Sequence, residues 1–269
     1  MSAATASLHH EWHRFSLPQK LARYALYLLT VIAVVWSFRT IEIIPEFLYD
    51  SPAQIADLFV RMWPMDWNYF FAEVWKALVE TLHIATLGTI LSLAFAIPLG
   101  FMAARNLTPL PALNLLGHFL FVTSRSVNSL VWALLFVAIF GPGPLAGTLA
   151  IAFRSIGFVG KLFAEAIEEA HRGPIEALTA AGAPVPSQIV MGYWPQVRPA
   201  FWSIVLFRWD INIRESAVLG LVGAGGIGVA LDSALSLLYW DQVSVVLLTI
   251  FVVVILAELV VTTIRKRVL

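Results

Sequence analysis

Long apolar runs recur along this sequence, and their lengths decide what it can fold into. A helix needs about 20 apolar residues to cross the hydrocarbon core of a bilayer. Six stretches approach or reach that length, helped by flanking arginines whose long side chains can extend towards the interface. The predicted spans cover residues 24–38, 81–104, 113–140, 145–163, 199–222 and 242–264. We therefore predict an all-α polytopic membrane protein with about six transmembrane helices.

The composition supports this class and excludes others. Hydrophobic residues make up 59% of the 269 residues and charged residues 13%, whereas soluble domains are about 45–50% apolar and about 25% charged. The 17 Lys and Arg balance 17 Asp and Glu, which leaves no basic excess for nucleic-acid binding. Because cysteine is absent from the sequence, a disulfide scaffold, a thiolate metal site and a cysteine nucleophile are excluded.

The first apolar run allows two interpretations. Cations and several histidines precede it, as they would precede a secretory signal peptide. No small-residue cleavage site follows the run, however. We expect an anchored first span, with a cleavable signal peptide as the alternative.

The distribution of cations predicts the orientation. Cytoplasmic loops carry an excess of Lys and Arg. Six spans that start from a cytoplasmic N-terminus place ten cations on the cytoplasmic side, three outside and four within spans. The cytoplasmic ten are Arg14, Lys20, Arg23, Arg105, Lys161, Arg172, Arg198, Arg265, Lys266 and Arg267. The outer three are Arg39, Arg61 and Lys76, and the four within spans are Arg125, Arg154, Arg208 and Arg214. Both termini are therefore expected in the cytoplasm.

Residues 43–80 resemble neither a span nor a plain loop. Aromatic residues alternate there with acids, as they do in helices at the boundary between lipid and water. These aromatics are Trp63, Trp67, Phe70, Phe71 and Trp75. We interpret the segment as an aromatic belt that anchors the second span, with a docking surface for an outer protein as the alternative.

The largest predicted cytoplasmic segment covers residues 165–198. Pro174 suits the first turn of a helix over residues 175–181, and Gly182 can end that helix in a left-handed conformation. Ser187 can cap a second helix that runs to Trp194, where Pro195 would end it. The pattern predicts a compact pair of helices outside the membrane.

The same residues resemble the EAA loop of ABC-importer permeases, which contacts the ATPase subunits in that family. Residues 165–198 are therefore named here the coupling region. That motif reads Glu-Ala-Ala, three residues, Gly, nine residues, Ile, one residue, Leu-Pro. Glu176, Ala177, Gly182 and Pro195 match its anchors. The sequence departs from the motif at three positions, Leu178, Gly192 and Trp194.

The resemblance extends from about residue 81 to the C-terminus. Residues 208–217 (RWDINIRESA) and 223–228 (GAGGIG) resemble the phosphonate/phosphite branch of these permeases. The resemblance implies a MetI-like helical bundle in the bacterial inner membrane that takes up a phosphorus oxyanion by alternating access. It also implies a homodimer, two cytoplasmic ATP-binding subunits that the coupling region contacts, and a periplasmic substrate-binding protein. Since the sequence has no Walker P-loop, ATP would be bound and hydrolysed by those partner subunits.

This interpretation divides the chain into four parts. Residues 1–23 form a cytoplasmic segment, and residues 24–80 hold the first transmembrane helix and a periplasmic amphipathic segment. Residues 81–264 form the core permease domain, which includes the coupling region. Residues 265–269 form a cytoplasmic tail.

The glycine-rich run also fits the dinucleotide pattern G-x-G-x-x-G through Gly223, Gly225, Gly226 and Gly228. That pattern indicates a nucleotide site only between a strand and a helix of a βαβ unit. Here it follows an apolar span, so we expect tight helix packing or a flexible gate beside the pathway instead.

The charges inside the fifth span are the most costly feature of the sequence. A charged side chain costs about 2.5–3.5 kcal/mol at the centre of a membrane helix. Arg208 and Glu215 lie seven residues apart on one helical face, and Asp210 and Arg214 are related by i,i+4. These charges either form an ion-pair network that fixes packing or provide positive potential for an oxyanion.

The second interpretation gives a predicted substrate pathway. Arg125 stands among hydroxyl and amide donors that suit a phosphate-like group. The predicted pathway residues are Ser124, Arg125, Ser126, Asn128, Arg208, Asp210, Asn212, Arg214 and Glu215. Arg154 is a weaker candidate, and we assign no role to Asp232 or Glu258.

Two alternative classes remain open. A passive anion channel would need no ATPase. An intramembrane enzyme would need a catalytic constellation, but His83 and His118 lie on separate spans and no HExxH motif is present.

Overall fold

The computed structural model describes residues 15, 17–41, 45–108 and 110–268. Predictions that concern Arg14, the start of the segment at Ile43 and the last tail residue lie outside the described residues. Every regular element in the described part is helical. The helices are α1 (Leu17–Thr40), α2 (Pro45–Arg61), α3 (Trp67–Ala103), α4 (Pro111–Ser126), α5 (Ser129–Phe140), α6 (Pro144–Glu168), α7 (Arg172–Ala180), α8 (Trp194–Leu219), α9 (Ile227–Ser236) and α10 (Trp240–Val268).

The membrane spans agree in number with the prediction. Among the described residues, four helices are long and apolar enough to cross a membrane, namely α1, α3, α6 and α10. Two bent helix pairs raise the number to six if each pair counts as one span. The all-α polytopic fold is therefore confirmed.

Contacts divide the chain into two units after Asp57, a boundary that falls within α2. The first unit contains α1, which has no buried residue along its length. Its exposed side chains are mostly apolar, which suits a helix surrounded by lipid.

The second unit is a helical bundle in which small residues let helices approach closely. A Cβ atom on Gly88 of α3 would lie 2.7 Å from the Ile151 side chain of α6, and one on Gly100 would lie 2.5 Å from Phe163. Helices in lipid have no hydrophobic driving force to associate, so they associate through close van der Waals contact. Small residues at the crossings allow that contact. This packing makes α3 and α6 the centre of the unit.

The second span begins earlier than its predicted start at residue 81. Helix α3 starts at Trp67, because the Asp66 carboxylate caps it by accepting hydrogen bonds from the backbone N–H groups of Asn68 (3.1 Å) and Tyr69 (3.3 Å). The predicted aromatic belt therefore lies partly on the first turns of α3. A π-helical stretch over Phe70–Val74 interrupts these turns.

The third predicted span, residues 113–140, corresponds to a bent pair of helices rather than to one continuous helix. Helices α4 and α5 meet at an angle of 89°. Val127 is extended, and Asn128 caps α5 by accepting a hydrogen bond from the Leu130 backbone N–H. The physical reason is that an Asn side chain competes for backbone donors and favours the start of a helix over its interior.

The coupling region matches the prediction at its first helix and differs at its second. Helix α7 carries Pro174 in its first turn, and Gly182 has a φ of +74° after its end. The second helix begins at Val185 rather than after Ser187, and a π-helical stretch over Gln188–Tyr193 joins it to α8.

The predicted stop at Pro195 was also wrong. Pro195 lies in the first turn of α8. A proline is tolerated there, since the preceding wider π-helical turn has already altered the backbone hydrogen bonding. The coupling region is therefore continuous with the fifth span.

Candidate functional site

Among the described residues that form ion pairs, Arg208 has the most deeply buried side chain. Its side chain is 3% exposed. Its Nε donates a hydrogen bond to the Ser155 hydroxyl of α6 at 2.9 Å, and its guanidinium lies 5.4 Å from the centre of the Phe158 ring. These contacts hold the guanidinium in one place between α6 and α8.

Two arginines share the carboxylate of Glu215. Arg154 of α6 places Nη1 at 3.2 Å from Glu215 Oε1, and Arg208 places Nη2 at 3.4 Å from Oε2. The predicted Arg208–Glu215 pairing is thus confirmed, and Arg154 joins it from another helix. We name Arg154, Arg208 and Glu215 the arginine–glutamate cluster. It carries one excess positive charge.

A chain of neutral hydrogen bonds extends from the cluster into the bundle. The Ser155 hydroxyl donates to the Asn212 side-chain oxygen at 3.2 Å. The Asn212 amide then donates to the Thr89 hydroxyl of α3 at 2.8 Å. Asn212, a predicted pathway residue, is fully buried within these hydrogen bonds. The network connects α3, α6 and α8 behind the cluster and fixes its position.

The cluster borders a cleft of about 300 Å³. The break between α4 and α5 forms one wall, because Asn128 and Ser129 lie there. Arg154 Nη1 donates to the Asn128 side-chain oxygen at 3.4 Å and to the Ser129 hydroxyl at 3.2 Å. The cleft residues are Asn128, Ser129, Leu130, Arg154, Arg214, Glu215, Val218 and Leu219.

The predicted Asp210–Arg214 pair is also present. Arg214 donates to Asp210 Oδ2 one turn away on α8. Arg214 is 49% exposed and lines the cleft, whereas Asp210 is 7% exposed. Among the described residues, Asp210 Oδ1 is a buried oxygen without a hydrogen-bond partner.

The structure does not bring the other predicted pathway residues to the cleft. Arg125 is exposed in the last turn of α4 and is not among the residues that line the cleft. The Ser124 hydroxyl joins α4 to α6 by donating to the Phe153 carbonyl and accepting from the Gly157 N–H at 3.0 Å. The Ser126 hydroxyl bonds the Thr123 carbonyl in its own helix at 3.0 Å.

Arg154 is the residue to which sequence reasoning gave too little weight. Its signal was an arginine followed by a serine within an apolar run, and both side chains reach α8. Sequence spacing along one helix reveals partners on that helix only. The contact from α6 to α8 could not be found in this way.

The glycine-rich run forms a tight loop against the start of α3. Gly223, Gly225 and Gly226 have positive φ values of 77°, 83° and 77°. The Glu80 carboxylate accepts from the Gly226 N–H at 2.9 Å, and the Thr81 hydroxyl accepts from the Ile227 N–H at 2.7 Å. The loop lies between helices rather than after a strand, so it does not have the context of a dinucleotide site.

The same loop borders a second pocket. This pocket has a volume of about 580 Å³. Its charged lining comes from Glu73, Lys76 and Glu80 on α3. Gly228 faces the other way, where an added Cβ would lie 2.5 Å from the Ala217 carbonyl oxygen. The loop therefore combines close packing on one side with a pocket that contains charged side chains on the other.

The matched residues of the EAA-like motif lie on an exposed surface. Glu176, Ala177, Gly182 and Pro195 are all exposed. A Cβ atom on Gly182 would meet nothing within 4 Å. Gly192, where the sequence departs from the motif, lies against Ile175 and Leu178, since an added Cβ would come within 3.3 Å of both side chains. The absent side chain at Gly192 lets the two short helices pack together.

Comparisons with known proteins place this bundle in one family. Residues 96–269 match the family described as "Binding-protein-dependent transport system inner membrane component". The "Phosphite transport system permease protein PtxC" of Stutzerimonas stutzeri is 34% identical over 93% of this chain and 90% of its own length. "Putative phosphite transport system permease protein HtxC" of the same organism is 38% identical over 84% of this chain and 79% of its own.

A third relative is longer. The "Phosphate-import permease protein PhnE" of Mycolicibacterium smegmatis (strain ATCC 700084 / mc(2)155) is 35% identical over 93% of this chain. The chain spans about half of that protein, since the match covers 47% of its length.

Solved structures show the same fold at lower identity. A chain of the MetNI methionine ABC transporter in an inward-facing conformation has a TM-score of 0.65 at 19% identity and covers 73% of this chain and 96% of its own. A bacterial ABC transporter that imports the acidic polysaccharide alginate has a TM-score of 0.62 at 16% identity and covers 93% and 98%. The extent of the family match and the identity to permeases of similar length lead to one conclusion: the chain belongs to the family of binding-protein-dependent transport system inner membrane components.

Proposed function

We propose that this chain is the transmembrane permease subunit of an ATP-driven importer for a phosphorus oxyanion such as phosphite or a phosphonate. The observation that carries the proposal is the arginine–glutamate cluster at the cleft, with its excess positive charge. The names of relatives that match most of the chain, two of them phosphite permeases, support the same substrate class.

The cleft offers an anion two kinds of donor. Arg154 and Arg214 line it directly, and guanidinium groups bind phosphoryl oxygens in a bidentate fashion. The N-terminus of α5 also opens onto the cleft at Ser129 and Leu130. Because the positive end of a helix dipole favours anions, this broken span adds to the arginine potential. We assign Asn128 and Arg208 to the pathway as well, through their contacts with Arg154 and Glu215.

Arg125 is kept as a separate candidate. It lies one turn before the break that exposes Asn128, on an exposed face of α4. Replacing Arg125 with alanine should lower uptake without disturbing assembly if the residue contacts the anion. Unchanged uptake would remove it from the pathway.

The coupling region would connect the bundle to ATP hydrolysis. The exposed Glu176, Ala177 and Gly182 leave a surface that a groove of an ATPase subunit can approach closely. The region continues through π-helical turns into α8, so a push on it would reach the cluster on that helix. Alternating access then follows if nucleotide-driven closure of the ATPases tilts α8 and opens the cleft to the other side.

The proposed assembly contains two copies of this chain, two cytoplasmic ATP-binding subunits and a periplasmic binding protein. Two six-span chains would enclose one pathway, with symmetry bringing two clusters around its axis. In the bacterial inner membrane, both termini would lie in the cytoplasm, an orientation that the cation distribution supports. The glycine-rich loop and the nearby pocket would then face the periplasm as part of a gate.

The test is uptake into proteoliposomes that contain this chain, its ATPase subunits and its binding protein. We expect ATP-dependent uptake of radiolabelled phosphite or methylphosphonate, and no uptake when the ATPase carries a catalytic substitution. Uptake that needs neither ATP nor the ATPase would indicate a passive channel. A complete lack of uptake of phosphorus oxyanions would contradict the substrate class.

A further inference from the structure

Glu215 occupies the position that an oxyanion would take between two arginines. Its two carboxylate oxygens lie 3.2 Å from Arg154 Nη1 and 3.4 Å from Arg208 Nη2. A carboxylate and a phosphoryl group present similar pairs of oxygens to guanidinium donors. The cluster is thus already an occupied anion site, with the anion supplied by the protein.

The two guanidinium groups keep other contacts that do not depend on Glu215. Arg208 bonds Ser155 through Nε and lies over Phe158. Arg154 bonds Asn128 and Ser129 across the cleft. If the Glu215 side chain rotated away, both arginines would stay in place and would be left without an anion.

Glu215 is the less constrained member of the cluster. In the described part of the chain, its hydrogen bonds and ion pairs go to Arg154 and Arg208. It lines the cleft, and its side chain is 16% exposed, between 3% for Arg208 and 29% for Arg154. A change of side-chain rotamer would move its carboxylate into the cleft without moving the backbone.

We infer that Glu215 is a built-in competitor for the transported oxyanion, an inference that rests on the proposed function. With the pathway empty, the carboxylate neutralises one of two arginines that would be costly to leave unpaired within a membrane. An entering oxyanion displaces Glu215 and takes its place on Arg154 and Arg208. The displaced carboxylate returns when the substrate leaves, which keeps binding weak enough for release.

The experiment measures phosphite binding to the assembly of this chain with its ATPase subunits, without the binding protein. The dissociation constant for inorganic phosphite is obtained from phosphorus NMR line broadening for the wild type and for Glu215→Gln. The substitution keeps the shape of the side chain and removes the competing charge. We expect phosphite to bind about tenfold more tightly, the equivalent of one charge-assisted hydrogen bond.

A matched control removes a carboxylate elsewhere in the membrane. Glu258 is an exposed residue of α10 and does not line the cleft. Glu258→Gln should leave the phosphite dissociation constant unchanged. Glu215→Asp keeps the charge on a shorter side chain that reaches the arginines less well, so it should bind phosphite with an intermediate affinity.

The outcomes separate this inference from the proposed function. If the wild type imports phosphite but Glu215→Gln binds it no more tightly, the competitor role is wrong and the importer stands. If the wild-type assembly imports no phosphorus oxyanion, the proposed function fails and the inference fails with it.

Infrared difference spectra of the wild type provide a second measurement should Glu215→Gln not assemble. Phosphite binding should shift the antisymmetric stretching band of a carboxylate, because Glu215 loses its guanidinium partners. A spectrum without such a shift would overturn the inference.

Discussion

The arginine–glutamate cluster and the coupling region use polar residues in opposite ways. The cluster is held by side chains from different helices, with Arg208 anchored by Ser155 and Phe158. The coupling region leaves Glu176 and Gly182 exposed and depends on local turns for its shape. A binding site needs donors fixed by the bundle, whereas a docking surface needs a bare backbone that a partner can approach. The two regions are joined through α8, and the proposed function requires a movement of one to be transmitted to the other.

The largest effect on stability should come from removing the anchored arginine of the cluster. Arg208→Ala leaves Glu215 with a single partner and removes the bond to Ser155. Breaking a buried ion pair costs about 3–5 kcal/mol. Thermal unfolding of the detergent-solubilised chain should show a clearly lower midpoint than the wild type. An unchanged midpoint would mean that the cluster does not fix the bundle.

A smaller effect should follow from adding one methyl group where helices touch. A Cβ atom on Gly220 would lie 2.5 Å from Gly228 Cα, and such overpacking costs about 1–3 kcal/mol. Gly173 of the coupling region has nothing within 4 Å of an added Cβ, so Gly173→Ala is the control. Unfolding midpoints should fall for Gly220→Ala and stay level or rise for Gly173→Ala. Equal effects would contradict the distinction between close packing inside the bundle at Gly220 and the open surface of the coupling region at Gly173.

Gly182 tests the coupling region for function rather than stability. Gly182→Trp places a bulky side chain at a left-handed position, with a cost of about 1–2 kcal/mol. We expect the chain to fold but to lose its ATPase subunits on affinity purification, or to lose ATP-dependent uptake. Gly182→Asn, which tolerates the same φ, should retain both. Normal coupling in the tryptophan variant would argue against docking at this surface.

The smallest effect is expected at an exposed ion pair between Lys161 and Glu165 on α6, where the charged atoms lie 3.2 Å apart. Exposed i,i+4 pairs contribute about 0.3–0.5 kcal/mol. Lys161→Ala should therefore change neither the unfolding midpoint nor uptake measurably. A large loss would show that this end of α6 is part of the machinery.

Sequence reasoning predicted whatever depends on local patterns. The apolar runs gave the six spans, the i,i+4 and i,i+7 spacings on α8 gave both ion pairs, and Gly182 gave the left-handed turn. It did not predict the break at Asn128, because the run over 113–140 is apolar on both sides of that residue. Sequence reasoning expected the helix to stop at Pro195. The π-helical stretch that precedes this proline and accommodates it leaves no simple periodic signal in the sequence.

The ion pair between Arg154 and Glu215 could not be predicted from the sequence, for a different reason. It depends on how α6 packs against α8, and hydrophobic periodicity does not specify which helices are neighbours. The role of Arg125 stays a prediction, because its exposed position on α4 neither joins it to the cleft nor assigns it a partner.

Phosphite uptake by the Arg154→Ala variant tests the central claim most directly. Arg154 contacts Glu215, Asn128 and Ser129 at the cleft and is 29% exposed, so its loss should be tolerated by the fold better than that of Arg208. In proteoliposomes with the ATPase subunits and the binding protein, we expect ATP-dependent uptake to fall about tenfold or more while the assembly remains intact. Uptake equal to that of the wild type in an intact assembly would contradict the claim that the cluster carries the anion.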